Sequence, residues 1–271
     1  SQHLVLPAVF CRLKQKGIEH LLPKDLFEYL NEITSINRNR NKSLLNEAIL
    51  ISELFKKNNI NHVFLKGLAF LADNLYEDLG ERMITDIDVL VHTNNLELST
   101  KLLIESGYNP NQSTIGERHL NKRHKPRLIN ETKLAAVELH TDLINNNDSN
   151  LITPNDTLNN KQIKQLAIPS YLYLLKHNIL NFQINDKGYY YNDFGFKSAY
   201  DSLILLKNVD VLEINDLFKE KVYRNYFSLL TIFFPEIKNR NHRIGVKVFQ
   251  KTFLFKLKNP IIKKPILSIE I

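Results

Sequence analysis

The run Thr85-Asp86-Ile87-Asp88-Val89-Leu90-Val91 constrains this chain more than any other stretch. It alternates and is rich in β-branched residues, which marks a strand. Side chains two apart on a strand share a face. Asp86 and Asp88 are therefore expected side by side, with Ile87, Val89 and Val91 anchoring the opposite face to a core. Carboxylates that close repel unless a cation lies between them. A hard divalent ion with oxygen ligands suits the position, magnesium above all and manganese as the alternative. Asp-x-Asp is also common at strand ends where both acids are merely solvated, so the pair has to be weighed with the rest of the chain.

Two other segments bear on it. In Phe64-Leu65-Lys66-Gly67 a strand gives way to a helix. Such a junction aims backbone N–H groups at whatever lies there, which suits phosphate, and Lys66 adds a charge. The plainer reading is a turn that uses Gly for its backbone freedom. In Val137-Glu138-Leu139-His140, Glu138 and His140 are expected to share a face of a strand. If that strand pairs beside the first, Glu138 becomes a third carboxylate, and three acids around one or two metals meet the needs of in-line nucleotidyl transfer. Otherwise Glu138 is an edge-strand acid in a salt bridge. Arg82, four residues before Asp86, could clamp phosphate or hold the carboxylates by a bidentate pair. The basic run His119, Lys122, Arg123, His124, Lys125 and Arg127 could line a triphosphate path, though a solvated loop is the simpler account.

The surroundings predict an α+β fold. Residues 1–57 read as helical, with Pro23 at a helix start and Asn58-Asn59 as a stop. Strand, helix, strand and helix follow to Gly107, then two extended segments near 124–130 and 134–140 joined by a hairpin connection at 130–133. From residue 162 onward the pattern is helical again, with a loop near 185–196. This predicts an N-terminal helical segment (1–57), a small mixed-sheet core (58–145) and a mainly helical C-terminal subdomain with a basic tail (146–271).

The order and spacing of Leu65-Lys66-Gly67, Leu75-Tyr76, Gly80-x-Arg82-x-x-x-Asp86-Ile87-Asp88-Val89-Leu90-Val91 and Val137-Glu138-Leu139-His140 closely resemble the uncharacterised nucleotidyltransferase family of bacteria. That family belongs to the DNA polymerase beta-like nucleotidyltransferase superfamily. The resemblance runs from His3 to about Lys207 and is most specific over 60–142. It implies a small mixed sheet with flanking helices and a helical C-terminal subdomain. It carries Asp86, Asp88 and Glu138 over as catalytic, metal-holding acids, Lys66 and Gly67 as the phosphate-side loop, and Arg82 as a phosphate or carboxylate contact. The superfamily usually has Gly-Ser where this chain, like the family, has Lys66-Gly67, so a Ser hydroxyl is missing there. His140 is expected to support an acid by a hydrogen bond. His177 and Asp201 sit at family-like positions in the C-terminal helices, with a structural role as well founded as a substrate one.

The implied activity is transfer of a nucleoside monophosphate from an NTP, ATP by default, to an unidentified acceptor, with release of pyrophosphate. The alternative is a catalytically silent module that binds NTP or a partner with the same fold. Composition separates few classes. One cysteine, Cys11, excludes a disulfide scaffold and fits a reducing cytoplasm. No stretch approaches the roughly 20 apolar residues of a membrane span, and no basic-then-apolar leader opens the chain. The first residue is not Met, which suggests a trimmed N-terminus. The net charge of +7 is local: residues 219–271 hold 12 basic and 3 acidic side chains, and the remainder is slightly acidic. Nucleic-acid binding is therefore not favoured on charge. Thr252–Lys264 mixes Phe, Leu and Ile with Lys, yet Pro260 and Pro265 break any long amphipathic helix. The Tyr189-Tyr190-Tyr191 cluster could stack an acceptor, although such clusters more often pack on a core.

Overall fold

The structure is a computed structural model that describes residues 4–111, 126–144, 149–237 and 245–259. The chain divides into two compact units, Ser1–Leu174 and Leu175–Ile271.

The first unit opens with α1 (Leu6–Gln15) and α2 (Lys24–Lys57), a helix of 34 residues. Pro23 stands at the N-cap position of α2, with no capping hydrogen bond from its side chain, and Asn58 and left-handed Asn59 end the helix. Then come β1 (His62–Phe64), α3 (Lys66–Ala72), β2 (Ile87–Val91), α4 (Leu96–Glu105), β3 (Asn109–Pro110), β4 (Leu128–Ile129) and β5 (Val137–His140). The five strands form one mixed sheet in the order β1-β2-β5-β4-β3. β2 runs antiparallel to β1 and parallel to β5, and the outer pairs are antiparallel. A parallel pair needs a crossover, and α4 lies between β2 and β5 in the chain and supplies it. The register sets Asp88 opposite Glu138 and Leu90 opposite His140. Ile87, Val89, Val91, Val137 and Leu139 are all fully buried and fix both strands to the core.

The mixed α+β architecture and the small mixed sheet are as the sequence predicts. Three details differ. The helix expected from Leu68 to about Tyr76 stops at Ala72. β2 begins at Ile87, so Thr85 and Asp86 precede it. Residues 161–169 form an antiparallel hairpin, β6 (Lys161–Ile163) and β7 (Ala167–Pro169), where helix was expected. This follows α5 (Pro154–Asn159), and Ala167, Ile168 and Pro169 are buried. Burial by tertiary contact overrides a short, ambiguous apolar run.

The second unit is helical, and its core is aromatic. Phe194 stacks on Phe233 at 4.3 Å, and Phe253 lies 6.1 Å from Phe233. His177 and Asp201 are buried in it. Tyr189 stacks on Phe249 and Tyr190 is exposed, within a one-turn helix at Gly188–Tyr191. Thr252 to Lys258 belong to a helix, Gly245–Lys258, whose Phe253 is buried. The rest of the basic apolar segment, with Pro260 and Pro265, lies outside the described residues. Among the described residues no helix is long and apolar enough to cross a membrane.

Candidate active site

The site forms where β2 and β5 lie side by side. Their parallel register brings Asp88 and Glu138 together, each with only 7% of its side chain exposed. His140, two residues on from Glu138, donates from Nε2 to Asp88 Oδ1 at 2.7 Å and lies 3.5 Å from Glu138 Oε2. Ligand atoms of Asp88, Glu138 and His140 all fall within 4.8 Å of one another. Asp86 stands just before the strand, 15% exposed, and its Oδ2 accepts from the Thr85 hydroxyl at 2.9 Å.

Among the described residues, two cations join the group. The Leu65 N–H donates to the Asp88 carbonyl at 2.9 Å, which ties the end of β1 to β2. Lys66 then takes a left-handed backbone, φ 52°, and its Nζ reaches Asp88 Oδ1 at 2.5 Å. A non-glycine residue in that region is uncommon and tends to mark a functional turn. Arg127, the residue before β4, donates from Nε to Glu138 Oε1 at 2.5 Å and from Nη2 to Asp86 Oδ2 at 3.3 Å. Its guanidinium thus joins Asp86 to the buried group. Arg127 was the end of a basic run best explained as solvated loop; the structure brings it onto two of the three acids. The other members of that run, His119 to Lys125, lie outside the described residues.

Gly67 and Arg82 are neighbours of one another. A Cβ on Gly67 would lie 2.7 Å from Ile84 Cγ1 and 3.5 Å from Arg82 Cζ. Arg82 is buried, and its Nη1 donates to the Met83 carbonyl at 2.6 Å.

The segment before Asp86 is held by the middle of α2, a contribution the sequence reading missed. Asn37 Nδ2 donates to the carbonyls of Gly80 at 2.7 Å and Arg82 at 3.1 Å. Asn41 Nδ2 donates to those of Leu79 at 2.6 Å and Arg82 at 2.8 Å. Arg38 grips Asp78 through two bonds at 2.9 and 2.7 Å. Arg40 donates to the carbonyls of Ile84, Thr85 and Leu134. The signal was present: Asn37 and Asn41 occupy the stripe otherwise filled by Leu30, Leu44, Ala48 and Ile51, and a polar residue on a core stripe needs a partner.

Charge settles the protonation of the two buried acids. Burial alone would favour neutral Asp88, but the Lys66 ammonium and the His140 hydrogen bond outweigh it and hold the pKa well below the carboxylate range. For Glu138, burial and the neighbouring Asp88 are outweighed by the His140 hydrogen bond and Lys66, and the pKa falls to about 2. Asp86 goes the other way: desolvation raises it more than Thr85 and Arg127 lower it. The result is two ionised carboxylates on adjacent strands and a less acidic third just before the first strand. Oxygen donors of this kind, with the His140 imidazole beside them, could hold a divalent ion.

The model of one protein family, described as uncharacterised nucleotidyltransferase, matches residues 1–222. The chain belongs to this family. The match takes in every residue of the site, Lys66 through His140, and the helix α2 that supports it. Among solved structures, the chain is similar to an antigenic nucleotidyltransferase-like protein from Paracoccidioides brasiliensis, at 16% identity and a TM-score of 0.49 over 76% of this chain and 96% of that one. No curated protein matches the sequence.

Proposed function

We propose that this protein is a divalent-metal-dependent nucleotidyltransferase of the DNA polymerase beta-like superfamily. It moves a nucleoside monophosphate from an NTP, ATP by default, to a hydroxyl-bearing acceptor and releases pyrophosphate. The observation that carries this reading is the register that pairs Asp88 with Glu138 on adjacent parallel strands, with Asp86 just before the first of them. In this reading Asp86, Asp88 and Glu138 hold the metal, magnesium or manganese. Bound there, such an ion neutralises triphosphate oxygens and lowers the pKa of the attacking hydroxyl. Buried and ionised, Asp88 and Glu138 are ready as ligands without a prior loss of protons. Lys66 and Gly67 form the phosphate side: the left-handed turn puts the ammonium beside the acids, where it can pass to a phosphate oxygen. Arg82 packs over that loop and sets its position. His140 keeps Asp88 oriented through its Nε2 hydrogen bond.

The test is calorimetric titration of each of the four NTPs, with and without magnesium, against wild type and Asp86→Asn/Asp88→Asn. Magnesium-dependent binding that disappears in the double variant is the expected result, and it names the preferred base. The second reading, a silent NTP-binding module, draws on the cations already paired with all three acids. NTP binding that survives both magnesium removal and the double variant, without pyrophosphate release, would establish it instead.

A further inference from the structure

Among the described residues, three acids and two permanent cations share this site, and Arg127 is the more exposed cation, 53% against 31% for Lys66. The Arg127 side chain is 53% exposed, against 7% for Glu138 and 15% for Asp86. The acids are fixed by the sheet and its edge, so the guanidinium is the partner able to leave. Its main chain stays put: the Arg127 carbonyl accepts from the Asn111 N–H at 2.7 Å, and the next residue, Leu128, pairs with Val137 of β5. A change of partner would therefore be made by the side chain. It bridges Glu138 Oε1 and Asp86 Oδ2, oxygens of two acids that a divalent ion would also need.

We propose that Arg127 is an exchangeable counter-cation that holds Glu138 and Asp86 until a divalent ion arrives, and then passes to the phosphates of the nucleotide. This rests on the nucleotidyltransferase reading above and adds a role for a residue outside its acid set. The charges supply the reason. Among the described residues, Asp86, Asp88 and Glu138 are nearly balanced by Lys66 and Arg127. A divalent ion entering without any release meets a guanidinium on the same oxygens and is repelled. A polyphosphate gives that guanidinium a new partner, and its planar fork suits phosphate oxygens as well as carboxylate ones. Metal and nucleotide then assist each other's binding, and the coupling is reciprocal. Neither is held firmly alone, so the acids do not retain a metal in the absence of substrate.

The experiment separates the two halves. Manganese binding is followed by electron paramagnetic resonance without nucleotide, and inorganic triphosphate binding by calorimetry in chelator, for wild type, Arg127→Gln and Arg127→Lys. Arg127→Gln should bind manganese about tenfold more tightly and triphosphate about tenfold more weakly. Arg127→Lys, which keeps the charge and loses the fork, should fall between. A merely structural role would weaken both. Manganese affinity unchanged or reduced in Arg127→Gln, or triphosphate affinity unchanged, overturns the proposal. Asp88→Asn tests the underlying reading separately: manganese binding as strong as wild type there rejects the metal site itself, whatever Arg127 does.

Discussion

A methyl group at position 67 would sit 2.7 Å from Cγ1 of Ile84, closer than real Cβ atoms come. Glycine is needed there for space, because its φ is not in the left-handed region; the left-handed residue is Lys66 beside it. Gly67→Ala should destabilise the protein by about 1–3 kcal/mol, as overpacking does. Ile84→Ala should recover part of that loss in a double-mutant cycle followed by urea unfolding. Asp78 gives a pH prediction. The hydrogen bond from Arg38, against the opposing effect of burial and with help from the Gly80 N–H, holds its pKa below the ordinary value. A depressed folded pKa means stability that is fully present above the unfolded value, about 3.9, and lost as pH falls through the folded one. The gap in thermal stability between wild type and Asp78→Asn should therefore be constant near neutrality and close in acid. A gap that does not narrow as the pH is lowered below about 3.9 would mean that Asp78 acts through shape and not charge.

At the scale of elements, α2 does two jobs along one stripe. Leu30, Leu44, Ala48, Ile51 and Phe55 bury the helix in the usual apolar way, while Thr34, Asn37 and Asn41 interrupt them. Gly80 passes so close that an added Cβ would lie 2.5 Å from the Thr34 carbonyl. The interruption is where the segment leading to Asp86 crosses the helix and draws its hydrogen bonds. Asn41→Leu fits the apolar stripe yet removes the described donor to the Leu79 carbonyl. It should cost about 1–3 kcal/mol, the penalty of an unpaired buried acceptor. It should also weaken magnesium-dependent NTP binding, because Asp86 loses its support; calorimetry and urea unfolding on the same variant check both. The hairpin at 161–169 shows what periodicity does not reveal: three-residue strands are too short to declare a period, and Lys164 within it and Tyr171 just beyond it reach Asp73 at 3.1 and 2.8 Å.

Across the whole molecule, every group of the candidate site belongs to the first compact unit, and the excess positive charge belongs to the end of the chain. Phe253→Ala removes an aromatic from the core of the second unit and should cost about 3–5 kcal/mol in thermal unfolding. Below the transition it should leave manganese affinity as in wild type, since no acid or cation of the site is touched. Altered affinity would show that the second unit bears on the metal site. Local chemistry wrote much of this protein into its sequence. Alternation marked β2 and β5, Pro23 and Asn58 bounded the long helix, and Asp88, Glu138, His140 and Lys66 were singled out by spacing and residue type. Those features depend on near neighbours in the chain, which a sequence displays directly. The register that sets Asp88 against Glu138, the reach of Arg127 to two acids, and the use of Asn37 and Asn41 as donors were decided only by the tertiary structure. Each joins residues between 11 and 50 positions apart, and no local pattern carries such a pairing until the crossover and the sheet bring the partners within hydrogen-bond range.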